Sequence, residues 1–559
     1  MSLFRKKSIS AIQEDMASNP EHASLKKVLT VKDLTFLGIA AVIGAGIFST
    51  IGSAAYDGGP GVSLLFVITA ITCGFSALCY AEFASRVPAS GSAYTYAYTS
   101  FGELIAWIIG WSLILEYSIG NIMVAISWSS YFNNLLHGMG VHLPYWLTIN
   151  YDSASEALAK VNEAIAAGSA VTPAMQEIIN GMQNAPLVAG HKLFINMPAF
   201  VIVALITALA YIGIQESRKS ANAMVIFKLL VIGFVIVMGV QYINTDNWSP
   251  FLPNEFTGVL KGVSAVFYAY IGFDAISTTA EECKDPQRDL PRGMIYSLLI
   301  CTAIYIVIAL VLTGMVHYSE LKVDDPLAYV FDKLGLKWIG YIISVSAVIA
   351  TTSVLLVFQL GQPRIWMTMS RDGLLPKKFS KVHPKFKTPS FATIVTGLIV
   401  AIPALFLPSS LVTDLTSIGT LFAFIIVCAG VLTLPKLKDN KQKFKMPYVN
   451  GKLIVPLMYI GFIFLFKDRF TEAFANFSNM THEQLFFLIF ALLAAVISIL
   501  TFVKNFSLIP ICGVLFCSYL MIEIPPVSWL WFSIWMAAGL LFYFTFSYKN
   551  SKLSHVNKQ

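Results

Sequence analysis

The chain is written as long apolar runs separated by short polar connectors, behind a largely polar opening stretch of 32 residues. About 20 apolar residues in succession cross the ~30 Å hydrocarbon layer of a bilayer as a helix. Runs of that kind cover 34–56, 62–84, 104–132, 197–214, 221–242, 259–279 and 294–317. They continue at 338–369, 391–407, 412–434, 453–466, 485–503, 508–522 and 529–546, the later ones being the shortest. The pattern predicts about fourteen transmembrane helices. The alternation of a barrel strand is absent, so the chain reads as an all-α membrane protein.

One connector is long. Within 151–190, two short amphipathic stretches, 153–167 and 172–182, each open on a capping-type residue. They read as a small lid without chemistry.

Two runs are unlike ordinary lipid-facing helices. The first contains Ile43-Gly44-Ala45-Gly46-Ile47-Phe48, with further glycines at Gly38 and Gly52. The sixth contains Tyr268-Ala269-Tyr270-Ile271-Gly272-Phe273-Asp274. Glycine weakens a helix interior by up to about 1 kcal/mol relative to alanine. Close-set glycines serve either tight helix packing or a break. Their places favour the break, because the first and sixth runs correspond in an inverted repeat of five plus five helices. A broken helix leaves N–H groups unpaired at one half-helix end and carbonyls at the other. Lipid cannot satisfy them. An amino acid can, with its carboxylate on the N–H ends and its ammonium on the carbonyls.

Composition supports the membrane reading. The chain is 56% hydrophobic and 12% charged, with a mean hydropathy of +0.70. A soluble domain carries about a quarter charged residues. The net charge is +7. Basic residues gather in the N-terminal stretch (Arg5, Lys6, Lys7, Lys26, Lys27, Lys32), at Arg218 and Lys219, and in 371–387, 436–452 and 549–558. The intervening connectors, such as 143–196 and 245–253, hold few, which predicts that both ends are cytoplasmic. Lying on connectors between spans, these clusters argue against nucleic-acid binding. The opening stretch does not read as a cleaved signal, and the first run should act as an uncleaved anchor.

Seven cysteines lie in or beside spans without metal-ligand spacing and read as small buried residues. All eight histidines fall in tails, loops or span ends, which argues against a proton relay or a metal site. No G-x-x-x-x-G-K-[ST] motif occurs, so ATP-driven transport is not expected. No cofactor, metal or obligate protein partner is expected. The expected partners are an amino acid and the lipid bilayer.

Several stretches together resemble the amino acid–polyamine–organocation superfamily, closest to the cationic amino acid transporter branch and its bacterial relatives. They are Gly44–Phe48, Tyr80-Ala81-Glu82 with Arg86–Tyr94, and Leu113-Ile114-Leu115-Glu116-Tyr117. Further ones are Tyr268–Asp274 with Glu281-Glu282, Asp285–Pro291 and Met369–Pro376. The likeness runs from about Ser24 through Leu434 and more weakly beyond. It implies a LeuT-like 5+5 inverted-repeat helix bundle. Its parts would be a cytoplasmic tail (1–32), a ten-helix core (33–435) with an outer insert (133–196), four additional helices (436–546) and a second cytoplasmic tail (547–559).

Carried over by motif, Val42, Ile43, Ala45, Gly46 and Ile47 should line the first break. Tyr268, Ala269 and Ile271 should line the second, with Asp274 just beyond. Many family members have Phe where this chain has Tyr268, a departure that alters pocket size and polarity.

A charge at mid-membrane costs about 2.5–3.5 kcal/mol on insertion scales, so each needs a reason. Lys228 lies in the 221–242 run, two to three turns from Arg218, where snorkelling to the interface is awkward. The resemblance places its ammonium where sodium-coupled relatives bind sodium, joining the first and eighth helices. That implies transport without sodium, and the lysine is also a candidate to exchange a proton. Glu116, within its motif, reads as site-adjacent. Asp274 reads either as a coupling group or as a paired structural acid. Glu82 and Arg86 read as an i, i+4 pair. Glu281–Arg292 reads as a cytoplasmic gate or a solvated loop.

The leading expectation is a secondary amino acid transporter, sodium-independent, proton-coupled or exchanging. Cationic substrates such as arginine or lysine are placed slightly ahead of small neutral ones such as alanine. A membrane sensor that binds without net flux is the rival class. No nucleophile–base pair supports an enzyme, and a closed midplane site suits a carrier better than a channel.

Overall fold

In the computed structural model of the protein, the apolar runs form helices. The structure describes residues 3–8, 29–44, 46–87, 91–168, 170–188, 190–212, 217–323, 325–386, 388–434, 444–475 and 480–556. The first run is not one helix. It comprises α1 (Val31–Val42), a wide turn at Gly46–Thr50 and α2 (Ile51–Gly58). Next come α3 (Val62–Arg86), the short tyrosine-rich α4 (Ser92–Ser100) and α5 (Glu103–Gly138). An insert follows, with α6 (Tyr151–Ala166), α7 (Pro173–Asn184) and a small antiparallel hairpin, β1 (Leu187–Val188) with β2 (His191–Lys192).

Beyond it lie α8 (Met197–Ile212), α9 (Ser217–Val240) and the sixth run. That run is also divided, into α10 (Glu255–Lys261), α11 (Val263–Tyr270) and a 3-10 segment, Phe273–Glu282. The chain continues through α12 (Pro286–Met315), α13 (Pro326–Lys333), α14 (Lys337–Arg371), α15 (Ser390–Ala404) and α16 (Ser409–Val431). Then come α17 (Ile454–Leu465), α18 (Lys467–Ala475), α19 (His482–Lys504), α20 (Leu508–Ile522) and α21 (Pro526–Phe542), followed by short helical turns up to Val556.

Among the described residues, eight helical stretches are long and apolar enough to cross a membrane, and four further apolar helices are shorter. α5 and α14 form the centre and pack extensively on each other. A buried polar ladder joins them: Asn121 Nδ2 donates to Gln359 Oε1 (2.7 Å), and Gln359 Nε2 donates to Thr207 Oγ1 on α8 (2.8 Å). Side-chain amides bonded across helices act as glue where water is excluded. α19 lies at the edge, and its exposed Leu485, Ile489, Leu492, Val496, Ile499 and Val503 mark one helical face. A face of that spacing belongs to lipid.

The insert helices start a little differently from expectation. α6 is capped by Asn150, whose Oδ1 accepts the Ser153 N–H (2.9 Å), rather than by Ser153 itself. Thr172 caps α7 through the Met175 N–H (3.3 Å).

At the opposite end of the bundle the two termini meet. Glu103, with 0% of its surface exposed, pairs with Arg5 (2.9 Å) and accepts hydroxyls from Tyr98 (3.0 Å), Tyr543 (3.0 Å) and Ser551 (2.5 Å). Beside it, Asp372 pairs with Lys7 (2.9 Å) and accepts the Tyr94 hydroxyl (2.8 Å). A buried carboxylate is tolerated when charge and donors surround it, as here.

Candidate functional site

Both divided runs break where their glycines stand. α1 stops at Val42. Ile43 turns extended (φ −80°, ψ 94°) while its N–H still bonds Ile39 O. The helix resumes at Gly46, with the N–H groups of Ile47 and Phe48 both on Gly44 O (3.2 Å each). Ala45 lies outside the described residues. α11 stops at Tyr270, Ile271 is extended, and Gly272 adopts φ +118°. Only glycine takes that conformation at little cost.

The two breaks touch reciprocally. A Cβ on Gly46 would lie 2.4 Å from Ala269 Cα, and one on Gly272 would lie 2.7 Å from Ala41 Cβ. Each glycine therefore admits the backbone of the other break. α1 and α11 both point their C-terminal ends into this crossing, which concentrates there carbonyls that have no partner within their own helix. The segments beginning at Gly46 and Phe273 bring helix starts, and hence N–H groups, to the same place.

Four side chains meet carbonyls of the divided runs. Lys228, buried at 0% exposure on α9, donates to Ala40 O (3.1 Å), Ile43 O (2.7 Å) and Ser353 Oγ on α14 (3.4 Å). Tyr305, buried on α12, has its hydroxyl 2.7 Å from Val42 O and 2.8 Å from Ala269 O, one carbonyl from each break. Thr50 adds a hydroxyl between Gly46 O (2.9 Å) and Ala265 O (3.1 Å), and the Tyr131 hydroxyl bonds Phe48 O.

Val42, Ile43, Gly46, Ile47, Ala269 and Ile271 are all buried at the crossing. Tyr268 is buried as well, and its hydroxyl faces Gly120 O on α5 (3.4 Å). A Cβ on Gly44 would strike Val354 of α14 at 2.4 Å, so α14 forms a wall of the crossing.

Glu116 and Asp274 are each 1% exposed and near enough for their charges to interact. Both carboxylate oxygens of Glu116 and the Oδ2 of Asp274 lack a hydrogen bond to any described residue. So do the hydroxyls of Tyr80 and Tyr117. Buried polar atoms are normally satisfied, and a cluster of exceptions calls for an explanation. They form a buried cluster of polar side chains with hydrogen-bonding capacity that the described residues do not use.

Arg364 of α14 pairs with Glu282 (2.5 Å), at the end of the sixth run away from the insert. The backbone of Glu282 also accepts the Leu29 N–H (3.0 Å). Glu282 thus ties the start of the first divided run and the end of the sixth to α14. Glu82 and Arg86 do pair (2.9 and 2.5 Å), and Glu82 also holds the Met446 N–H (2.8 Å), fixing the connector before α17.

Sequence reasoning missed Tyr305 and Ser353. The available signal was a tyrosine hydroxyl in the middle of the 294–317 run.

A bundle of apolar helices in which two broken helices cross at a buried, polar centre has the build of a membrane carrier. The chain belongs to the amino acid permease family: the amino acid permease model matches residues 29–492, and that of the permease C-terminus matches 507–551. It is 38% identical to the branched-chain amino acid permease BcaP of Bacillus subtilis (strain 168) over 555 residues, 99% of each chain. It is 36% identical to the methylthioribose transporter of the same organism, again over 99% of each. With the vacuolar cationic amino acid transporter 4 of Arabidopsis thaliana it shares 34% over 446 residues, 78% of this chain and 67% of that one. These relatives are transporters, not enzymes. The protein is a multi-pass membrane protein of that family.

Proposed function

We propose that the protein carries an L-amino acid across the cell membrane by alternating access, without sodium. The observation that carries this reading is the reciprocal contact of the two breaks, Gly46 on Ala269 and Gly272 on Ala41. It brings helix-start N–H groups and helix-end carbonyls together around a buried centre, a complement to a zwitterion. The positions of the breaks support a LeuT-like inverted repeat over 33–435. Four further spans over 436–546 would bring the total to about fourteen. Both ends are taken as cytoplasmic and the 133–196 insert as outer.

Lys228 supports sodium independence. Its ammonium already neutralises Ala40 O and Ile43 O and reaches Ser353. A second cation among the same oxygens would be repelled. Glu116 and Asp274 are two buried carboxyls whose charges interact, either of which could hold a proton, and this supports proton coupling over exchange.

The lining shifts the order of substrates from that read in the sequence. Ile43, Ile47, Ile271, Val354 and Phe358 are apolar and buried, and they favour a branched apolar side chain. The name of the full-length relative BcaP agrees. A cationic substrate is the second reading, carried by the unbonded carboxylate of Glu116.

The test is uptake of labelled leucine by purified protein in liposomes, competed by each of the twenty amino acids with and without sodium. The expected result is saturable uptake, strongest competition from leucine, isoleucine and valine, and no sodium effect. Competition by arginine and lysine alone would select the second reading. Competition by none would end the proposal.

A further inference from the structure

A cavity of about 390 Å³ opens on the insert side of the molecule. Its walls come from the end of α2 (Tyr56, Asp57), the start of the sixth run (Asn254, Lys261) and the loop after α12 (Tyr318). None of its lining residues comes from α5, α14 or α16, which surround the crossing of the breaks. It is therefore a separate place, though built on the outer ends of the same two divided runs.

The wall is held in shape. Asn254 Nδ2 donates to Asp57 O (2.9 Å), fixing the sixth run against the end of α2. A Cβ on Gly258 would come within 3.1 Å of that same carbonyl. Within the cavity stand one half-buried carboxylate, Asp57, and one exposed ammonium, Lys261. Asp57 interacts electrostatically with Lys322 first and with Lys261 second, and it forms no ion pair with Lys261. Lys322 instead places its ammonium 5.0 Å from the centre of the Tyr56 ring.

Opposite charges held apart across a cavity leave room for a ligand with the reverse arrangement. The volume lies within the usual range of small-molecule sites, about 300–1,000 Å³. We infer that this cavity is an outer staging site for the zwitterionic amino acid. Its ammonium sits on Asp57, its carboxylate on Lys261, and its side chain against Tyr56 and Tyr318. The site reads only the common backbone charges, so it concentrates substrate at the mouth without choosing among side chains. The inference rests on the proposed amino acid transport.

The test is uptake kinetics in liposomes for Asp57→Asn, Lys261→Gln and the swap D57K/K261D, across at least three transported amino acids. The single variants should raise KM three- to tenfold for every substrate, with Vmax within twofold and the competition order unchanged. The swap should recover part of the loss, because it restores one charge of each sign. Raising salt to ~1 M should erase the difference from wild type, since charges at an open cavity are screened. Single-variant KM values within twofold of wild type would overturn the staging site while leaving transport intact. Absence of uptake by the wild type would instead overturn the transport reading on which it rests.

Discussion

A buried ammonium that ends on two backbone carbonyls and a hydroxyl has consequences when removed. Lys228→Met should leave Ala40 O and Ile43 O unsatisfied, at about 1–3 kcal/mol for each buried group. Uptake should fall at least tenfold while the protein still inserts normally, read by initial rates and by the amount in the membrane fraction. Unchanged kinetics would mean that the charge has no part in the site. Tyr305→Phe keeps the ring and loses one hydroxyl shared by Val42 O and Ala269 O. A net hydrogen bond is worth about 0.5–1.5 kcal/mol, so KM should rise roughly two- to tenfold for all substrates alike.

Glycines offer a sharper contrast. At Gly272, φ is +118° and an added Cβ would press on Ala41, so Gly272→Ala should cost about 1–3 kcal/mol and most of the transport. At Gly233, inside α9, nothing lies within 4 Å of an added Cβ, so Gly233→Ala should leave uptake unchanged and stabilise by up to about 1 kcal/mol. Thermal unfolding in detergent and uptake together check both.

Among elements, the clasp that joins the two termini should behave as one unit. Glu103→Gln removes the charge facing Arg5 and weakens an acceptor for Tyr98, Tyr543 and Ser551. Breaking one partner of a buried pair costs about 3–5 kcal/mol. The double variant with Arg5→Met should be less destabilised than the sum of the singles, measured by unfolding temperature. Additive losses would show that the pair is not coupled.

This clasp was not legible in the sequence. Arg5 lies 98 positions from Glu103, and Glu103 lies 448 from Ser551, and no local pattern records such a meeting. The runs were legible because a bilayer demands length and apolarity, both local properties. The breaks were legible from the glycines around Gly46 and Gly272 and from their places in the first and sixth runs. Lys228 was visible as a charge in an apolar run. Its partners came from the family resemblance, not from spacing. Tyr305 was missed because a tyrosine within a span is ordinary until its hydroxyl is found on two broken helices. The Asn150 cap was missed because the amphipathic pattern of α6 begins after it.

For the whole molecule, the alternating access proposed above would require the ties between the divided runs and α14 to open in turn. On the side away from the insert, Glu282 and Arg364 form such a tie. Glu282→Gln should favour opening there, seen as faster labelling of a cysteine placed along that path, and the exchange E282R/R364E should restore the wild-type rate.

The central claim is that the crossing recognises both charged ends of one amino acid. It is tested most directly by stripping those ends from the best substrate in turn. If leucine is that substrate, the probes are 4-methylpentanoate, which lacks the ammonium, and isoamylamine, which lacks the carboxylate. At concentrations where unlabelled leucine abolishes labelled leucine uptake, neither probe should compete measurably. Inhibition by either probe as strong as that by leucine would contradict the account.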